Sequence, residues 1–255
     1  MLSLRQIRVR HGQHIALSLE ALDIDPSQFT VILGHNGSGK STLLNLIARQ
    51  QMPAQGEIRL DGIALERLSQ CQLAQRVAYL PQRLPDVSGL TVRELVQLGR
   101  YPWRGLLGRW RQEDQQAVDR ALHQSDTLHL ADCLADSLSG GERHRAWIAM
   151  LLAQDAPLLL LDEPTAALDL AHQYELMALL ARLNRERGCG VLVILHDVNL
   201  SCRYAQRIIA LKRGTLFFDG TPAQLLDAER LSTLYDIDID LLAQPGQARP
   251  LAVVR

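Results

Sequence analysis

Apolar residues recur at every second position in two early runs, residues 3–10 and 15–23, on either side of His11-Gly12-Gln13. Alternation around a glycine turn predicts an antiparallel hairpin. Residues 29–33 are apolar almost without interruption, which predicts a strand buried on both faces. They lead into a Gly-rich segment, after which residues 41–49 have helical spacing. Residues 57–60 and 77–80 predict further strands. The pattern changes after Gln82. Across 84–145 the period is helical, in 91–99, 112–124 and from Gly140 onward, which predicts a helical insertion. Thr91 with Glu94 has the form of a capping box, and Ser139 that of a helix cap. Strand character returns at 158–161 and 191–195, separated by a helix over 170–187 that Gly188 ends. Buried strands alternating with helices predict a parallel sheet with helices on both faces. Beyond Ile208, a strand pair is expected about Lys212-Arg213-Gly214 and a helix over 222–235. The last dozen residues, with Pro245, Gly246 and Pro250, are expected to be loosely ordered.

The bulk numbers narrow the classes. The chain has 255 residues, 47% of them hydrophobic, which suits one large domain or one domain with an insertion. A net charge of −1 supplies no global field to recruit nucleic acid. Cys71, Cys133, Cys189 and Cys202 are spread without a CxxC pair, so reduced thiols are expected rather than a zinc site or a disulfide framework. The opening Met1-Leu2-Ser3-Leu4-Arg5 lacks the apolar core of a signal peptide. The closest approach to a membrane span, 146–161, is broken by Gln154, Asp155 and Pro157. Any service to a membrane is therefore expected to pass through a partner.

Two segments carry chemistry. Gly34-His35-Asn36-Gly37-Ser38-Gly39-Lys40-Ser41 is a phosphate-binding loop. Its glycines let the backbone turn so that N–H groups face an anion, and the following helix adds the positive end of its dipole. Lys40 is expected to reach the β- and γ-phosphates and Ser41 to give its hydroxyl oxygen to Mg²⁺. Four leucines, 158–161, then deliver Asp162-Glu163 at the C-terminal end of a buried strand, where open α/β sheets bind ligands. Asp162 is expected to hold Mg²⁺ through water, and Glu163 to orient or deprotonate the attacking water. His196 closes another apolar run. Alone, a histidine there is more often a satisfied core or capping group.

Together these residues resemble the nucleotide-binding subunit of ABC transporters over nearly the whole chain. Gly34 to Ser41, with Thr42 following, looks like the first nucleotide motif of that family, and 158–163 like the second. Leu138-Ser139-Gly140-Gly141-Glu142 matches its signature sequence. Gln82 resembles the glutamine that joins the core to the helical subdomain and reaches the metal. Ala167-Leu168-Asp169 resembles the loop that crosses the dimer interface, and His196 the switch histidine. His11 stands where the family usually places an aromatic residue that stacks on adenine.

The resemblance implies an α/β fold: a P-loop NTPase core with an N-terminal antiparallel β subdomain (1–83 and 146–240), an inserted helical subdomain (84–145) and a tail (241–255). It implies ATP and Mg²⁺ as ligands. It also implies a head-to-tail homodimer in which each ATP lies between one phosphate loop and the other chain's Ser139, Gly140 and Gly141. The catalytic residues would be Glu163, His196 and Gln82. Arg143 and Arg145 could add charge near that interface. A lone cassette further implies an importer: a peripheral subunit on the cytoplasmic face of a bacterial inner membrane, bound to a permease and served indirectly by a substrate-binding protein.

Gly99-Arg100-Tyr101-Pro102-Trp103, the nearby 105–110 and His35 are similar to ATPases of iron–siderophore uptake, of the ferric hydroxamate branch, in a group that includes vitamin B12 and haem importers. Trp103 and Trp110 could equally be simple packing. The groove between Gln82 and Trp110 is expected to receive a short permease helix. Two other classes compete: a soluble ABC-type ATPase acting on DNA or ribosomes, and a small-molecule P-loop kinase. The single cassette without sustained heptads argues against the first, and the Ser139 segment against the second.

Overall fold

The computed structural model describes residues 1–255 apart from 13, 106–107, 244–245 and 247–248, and for His11 the backbone alone. The chain divides into two compact units, Met1–Leu65 with Val191–Arg255, and Glu66–Gly190.

The first unit opens with an antiparallel sheet in the order His14–Ile24, Leu2–His11, Gln55–Leu60, Ile63–Ala64. Leu2, Leu4, Ile7 and Val9 face its core at no more than 1% exposure. The inward positions slip from 4 to 7 because Gln6 is bulged, with φ 50° and a register shift against Gln55–Leu60. Gly56 lies opposite; a Cβ there would stand 2.4 Å from the Arg5 carbonyl oxygen.

The second sheet of this unit is built on Phe29–Leu33, buried along its whole length. It runs parallel to Gly190–Ile194 and to Arg207–Lys212, and Thr215–Gly220 closes antiparallel on the latter. The helix Lys40–Ile47 follows directly, burying Leu43, Leu44, Leu46 and Ile47.

Two expectations for the tail need correction. The run 222–235 is two helices, Pro222–Leu225 and Ala228–Tyr235. Asp227 breaks it by leaving helical geometry and accepting the Arg230 N–H at 2.8 Å, so it caps the second helix instead of continuing the first. The end of the chain is not loose throughout: Leu251–Val254 pairs antiparallel with Ile239–Leu242. Pro245 lies outside the described residues.

In the second unit, Val77–Leu80 runs parallel to Leu158–Asp162. Around this pair are the helices Val92–Leu98, Tyr101–Arg104, Gln112–Gln124, Gly140–Ala153 and Leu170–Arg187. Thr91 and Glu94 form the expected reciprocal cap, at 3.2 and 2.8 Å. Asp169 caps the long helix, and Gly188 ends it in the left-handed conformation, φ 65°.

The segment 99–103 proves to be a clamp on the end of Gly140–Ala153. Arg100 pairs with Asp114 at 2.9 Å and donates to the Ala153 carbonyl at 2.9 Å; both ionic side chains are under 10% exposed. Trp103 donates its indole N–H to the Gln154 carbonyl at 2.6 Å. In 105–110, Leu106 and Leu107 lie outside the described residues, while Trp110 stacks under the Arg104 guanidinium at 4.7 Å. Gly99 is required by contact: a Cβ would stand 2.3 Å from the Met150 carbonyl oxygen. Gly99→Ala is expected to destabilise the protein by about 1–3 kcal/mol through overpacking. A urea midpoint equal to that of the unmodified chain would show that these two helices separate freely.

Candidate nucleotide-binding site

The parallel register in the first unit sets where the phosphate loop begins. Ile32 pairs with Ile194, and Leu195 donates its N–H to the Ile32 carbonyl at 3.3 Å. The phosphate loop starts two residues after Ile32 and His196 lies two residues after Ile194. Both therefore leave the same end of adjacent strands. His196 is exposed, and Asp197 beside it caps the helix Val198–Tyr204.

The loop itself is shaped by what lies under it. Gly34 has φ 142°, and a Cβ there would fall 2.2 Å from the Leu211 carbonyl oxygen; Gly39 has φ 99°, and its Cβ would meet the Ala16 carbonyl at 2.7 Å. No other residue fits either place. The Gly214 N–H, in the hairpin turn below, donates to the Ser38 carbonyl at 3.1 Å. His35, Asn36 and Gly37 form the exposed rim.

Lys40 is 4% exposed, and its ammonium donates to the Gly34 and His35 carbonyls at 2.8 and 2.9 Å. Helix Lys40–Ile47 has no side-chain cap at its N-terminus, so its first N–H groups face the loop. The Ser38 hydroxyl is buried without a partner. A glycine cradle, an uncapped helix start, a buried ammonium and an orphan hydroxyl together suit a polyphosphate. Ser41 and Thr42 open this helix, where a hydroxyl oxygen suits a hard cation.

The second unit holds the acids. Leu158–Asp162 is buried along its whole length, and Asp162 is 3% exposed. Burial first, and the Asp162 carboxylate second, push the Tyr79 hydroxyl up to about 12. Glu163 turns out of the strand with φ 51°, a strained conformation for a residue other than glycine. Its carboxylate accepts the Gln82 amide N–H at 2.6 Å. The structure thus brings together two residues 81 positions apart that were singled out separately.

Ser139 caps Gly140–Ala153 in a reciprocal box with Glu142, at 3.4 and 3.0 Å, and the Ser139 hydroxyl, donating at 2.6 Å, with the Ser139 N–H holds the Glu142 carboxyl below the usual carboxylate range. A Cβ on Gly140 would meet nothing within 4 Å, and one on Gly141 would meet only Leu168, at 3.8 Å. The fold of this chain does not explain why both are glycine. Asp169 accepts the His172 N–H at 2.9 Å, which lowers its carboxyl. Arg143 pairs with Asp86 at 2.9 Å, whereas Arg145 lies where its charge is felt by both Glu142 and Asp169. The side chain of His11 lies outside what the structure describes. Sequence reasoning missed Leu211 and Gly214, whose part in the loop depends on contacts more than 170 residues away.

An α/β strand–loop–helix with this cradle defines a P-loop nucleotide-binding protein. The family described as ABC transporter matches residues 19–166, and the chain belongs to that family, as its ATP-binding and ATP-hydrolysing part. It is 41% identical to the ferric enterobactin transport ATP-binding protein FepC of Escherichia coli over 97% of this chain and 92% of the relative. It is 38% identical to the iron(3+)-hydroxamate import ATP-binding protein FhuC of Bacillus subtilis over 99% and 94%. A hemin import ATP-binding protein of Pseudomonas fluorescens is 38% identical over 100% of both. Among solved structures, a protein described as a metal-chelate type ABC transporter in an inward-facing conformation matches with TM-score 0.85 and 26% identity, over 100% of this chain and 97% of that one. A dimeric cassette in a post-hydrolysis state with ADP and Pi matches with TM-score 0.78 and 31% identity, over 87% and 99%. Among the described residues no helix is long and apolar enough to cross a membrane.

Proposed function

We propose that this chain powers import of an iron(III)–siderophore, of the hydroxamate type, from the cytoplasmic face of a bacterial inner membrane. The observation that carries this reading is similarity along almost the full chain to ATP-binding proteins named for ferric enterobactin, achromobactin and iron(3+)-hydroxamate transport. Residues 34–42 bind the phosphates of ATP, with Lys40 on the β- and γ-groups. Ser41, Gln82 and Asp162 hold Mg²⁺, which neutralises phosphate charge when bound. Glu163 positions and deprotonates water, and His196 reports the γ-phosphate. His11 stacks on adenine. Residues 84–145 act as the helical subdomain that meets the permease.

Two copies work as a homodimer with a permease, served indirectly by a substrate-binding protein. The open space over Gly140 and Gly141 supports this: glycines that their own chain does not need suit the close approach of a partner's nucleotide. Asp169, capping a helix start and exposed, suits the same interface.

Haem is the second reading, favoured by hemin import relatives whose length the chain covers by 98 and 100%. Uptake of labelled iron in cells with and without this chain separates the two. Ferric hydroxamate uptake is expected to fall to background without the chain and to return with it. Loss confined to haem would move the cargo to the second reading. Normal uptake of every iron chelate would overturn the import reading and leave the ATPase assignment intact.

A further inference from the structure

The motifs leave the C-terminal helix Ala228–Tyr235 without a role, yet its end lies on the phosphate loop. The Tyr235 ring meets the His35 ring edge-on, with centroids 5.5 Å apart and planes at 67°. A second link runs through the hairpin beneath the loop. Lys212 pairs with the Asp236 carboxylate at 2.7 Å and also donates to the Thr233 carbonyl. Lys212 ends the strand whose Leu211 carbonyl fills the space under Gly34, and it precedes the Gly214 N–H that holds Ser38. One helix end therefore touches the rim of the loop and grips its floor.

That helix end is itself tied down. Asp236 turns the chain with φ 53°, and Ile239 donates its N–H to the Ser232 hydroxyl at 2.9 Å. The strand Ile239–Leu242 pairs with Leu251–Val254, where Asn199 bonds both the N–H and the carbonyl of Ala252, at 2.9 and 3.0 Å. Asn199 belongs to the helix that starts two residues after His196. All of these residues lie in the first unit.

We propose that Tyr235 and Asp236 are positioning residues for the phosphate loop, setting the affinity for ATP without entering the chemistry. The inference rests on the reading of 34–42 as the ATP loop. A loop with three glycines is free to take many shapes, and a buttress that fixes one of them removes part of the ordering cost of binding. The ring carries the effect, because the Tyr235 hydroxyl is buried with no hydrogen-bond partner.

The test compares full-length variants by calorimetric binding of ADP and by steady-state ATP hydrolysis. Tyr235→Ala is expected to raise Kd and KM by roughly 2- to 12-fold, the worth of an edge-on aromatic pair, with kcat held within about 2-fold. Tyr235→Phe is expected to bind like the unmodified chain. His35→Ala, at an exposed position where folding is not at risk, is expected to raise Kd at least as far as Tyr235→Ala, and the double variant should bind no more weakly than His35→Ala alone. Unchanged Kd in Tyr235→Ala or in His35→Ala overturns the proposal, as does additive loss in the double variant. Loss in Tyr235→Phe equal to that in Tyr235→Ala overturns the role of the ring. Lys40→Met separates the two levels. If it binds ADP normally, the loop reading itself falls; if it loses binding while Tyr235→Ala does not, the positioning proposal falls alone.

Discussion

Glu163→Gln is expected to lower ATP turnover by roughly 10²- to 10⁴-fold, the usual contribution of a positioned general base, while ATP still binds. The change is nearly isosteric. A glutamine at 163 keeps an oxygen that can accept the Gln82 amide N–H, now at 2.6 Å from the carboxylate, so the local arrangement survives. The strand behind it is buried along its whole length, which fixes where residue 163 leaves the sheet. What disappears is the negative charge and its ability to take a proton from water. With ATP and Mg²⁺ present, the variant is expected to accumulate as a dimer on size-exclusion chromatography, because closure on the γ-phosphate is no longer undone by hydrolysis. Undiminished turnover would move the base to another group. A variant that stays monomeric with ATP and Mg²⁺ would contradict the sandwich arrangement instead.

Features with a local cause were legible in the sequence, and those set by distant contacts were not. The helix Leu170–Arg187 was legible because its stop signal, Gly188, adjoins it; its start cap, Asp169, stood out in the sequence only for another role. The strand Phe29–Leu33, the capping box at Thr91 and the helix cap at Ser139 were legible from local signals. Gly99 was visible as part of a family-like segment, but its reason is a Met150 carbonyl 2.3 Å from where a Cβ would be, which no local pattern encodes. The segment it opens resembles iron–siderophore ATPases, with simple packing as the alternative, and in the structure Arg100 and Trp103 pack on the end of a neighbouring helix. The break at Asp227 did have a signal, a capping residue inside a helical run, which periodicity outweighed. The pairing of Leu251–Val254 had little: four short-range apolar residues after Pro and Gly say nothing of a partner strand. Tyr235 had none, since its neighbour His35 is 200 positions away in the chain and adjacent only through the sheet.

Lys40→Met separates the binding role of the loop from its stability, and the two are expected to move differently. Lys40 is 4% exposed, with its ammonium on the Gly34 and His35 carbonyls. Holding a charge in that place costs desolvation, which these bonds offset, so an unbranched apolar side chain of similar volume should leave the urea midpoint within about 1 kcal/mol of its starting stability. Binding has no such compensation. Hydrogen bonds to charged groups contribute about 1.5–3 kcal/mol each. Losing one to the β- and one to the γ-phosphate therefore weakens ATP binding by roughly 10²- to 10⁴-fold. Lys40→Arg should fail as well. A planar fork is wider than an ammonium, and Gly34 leaves no room beneath the loop, where the Leu211 carbonyl already occupies the place of a side chain. Retained ATP affinity in Lys40→Met, measured by calorimetry on a protein with an unshifted midpoint, would mean that 34–42 is a structural turn and that the nucleotide binds elsewhere.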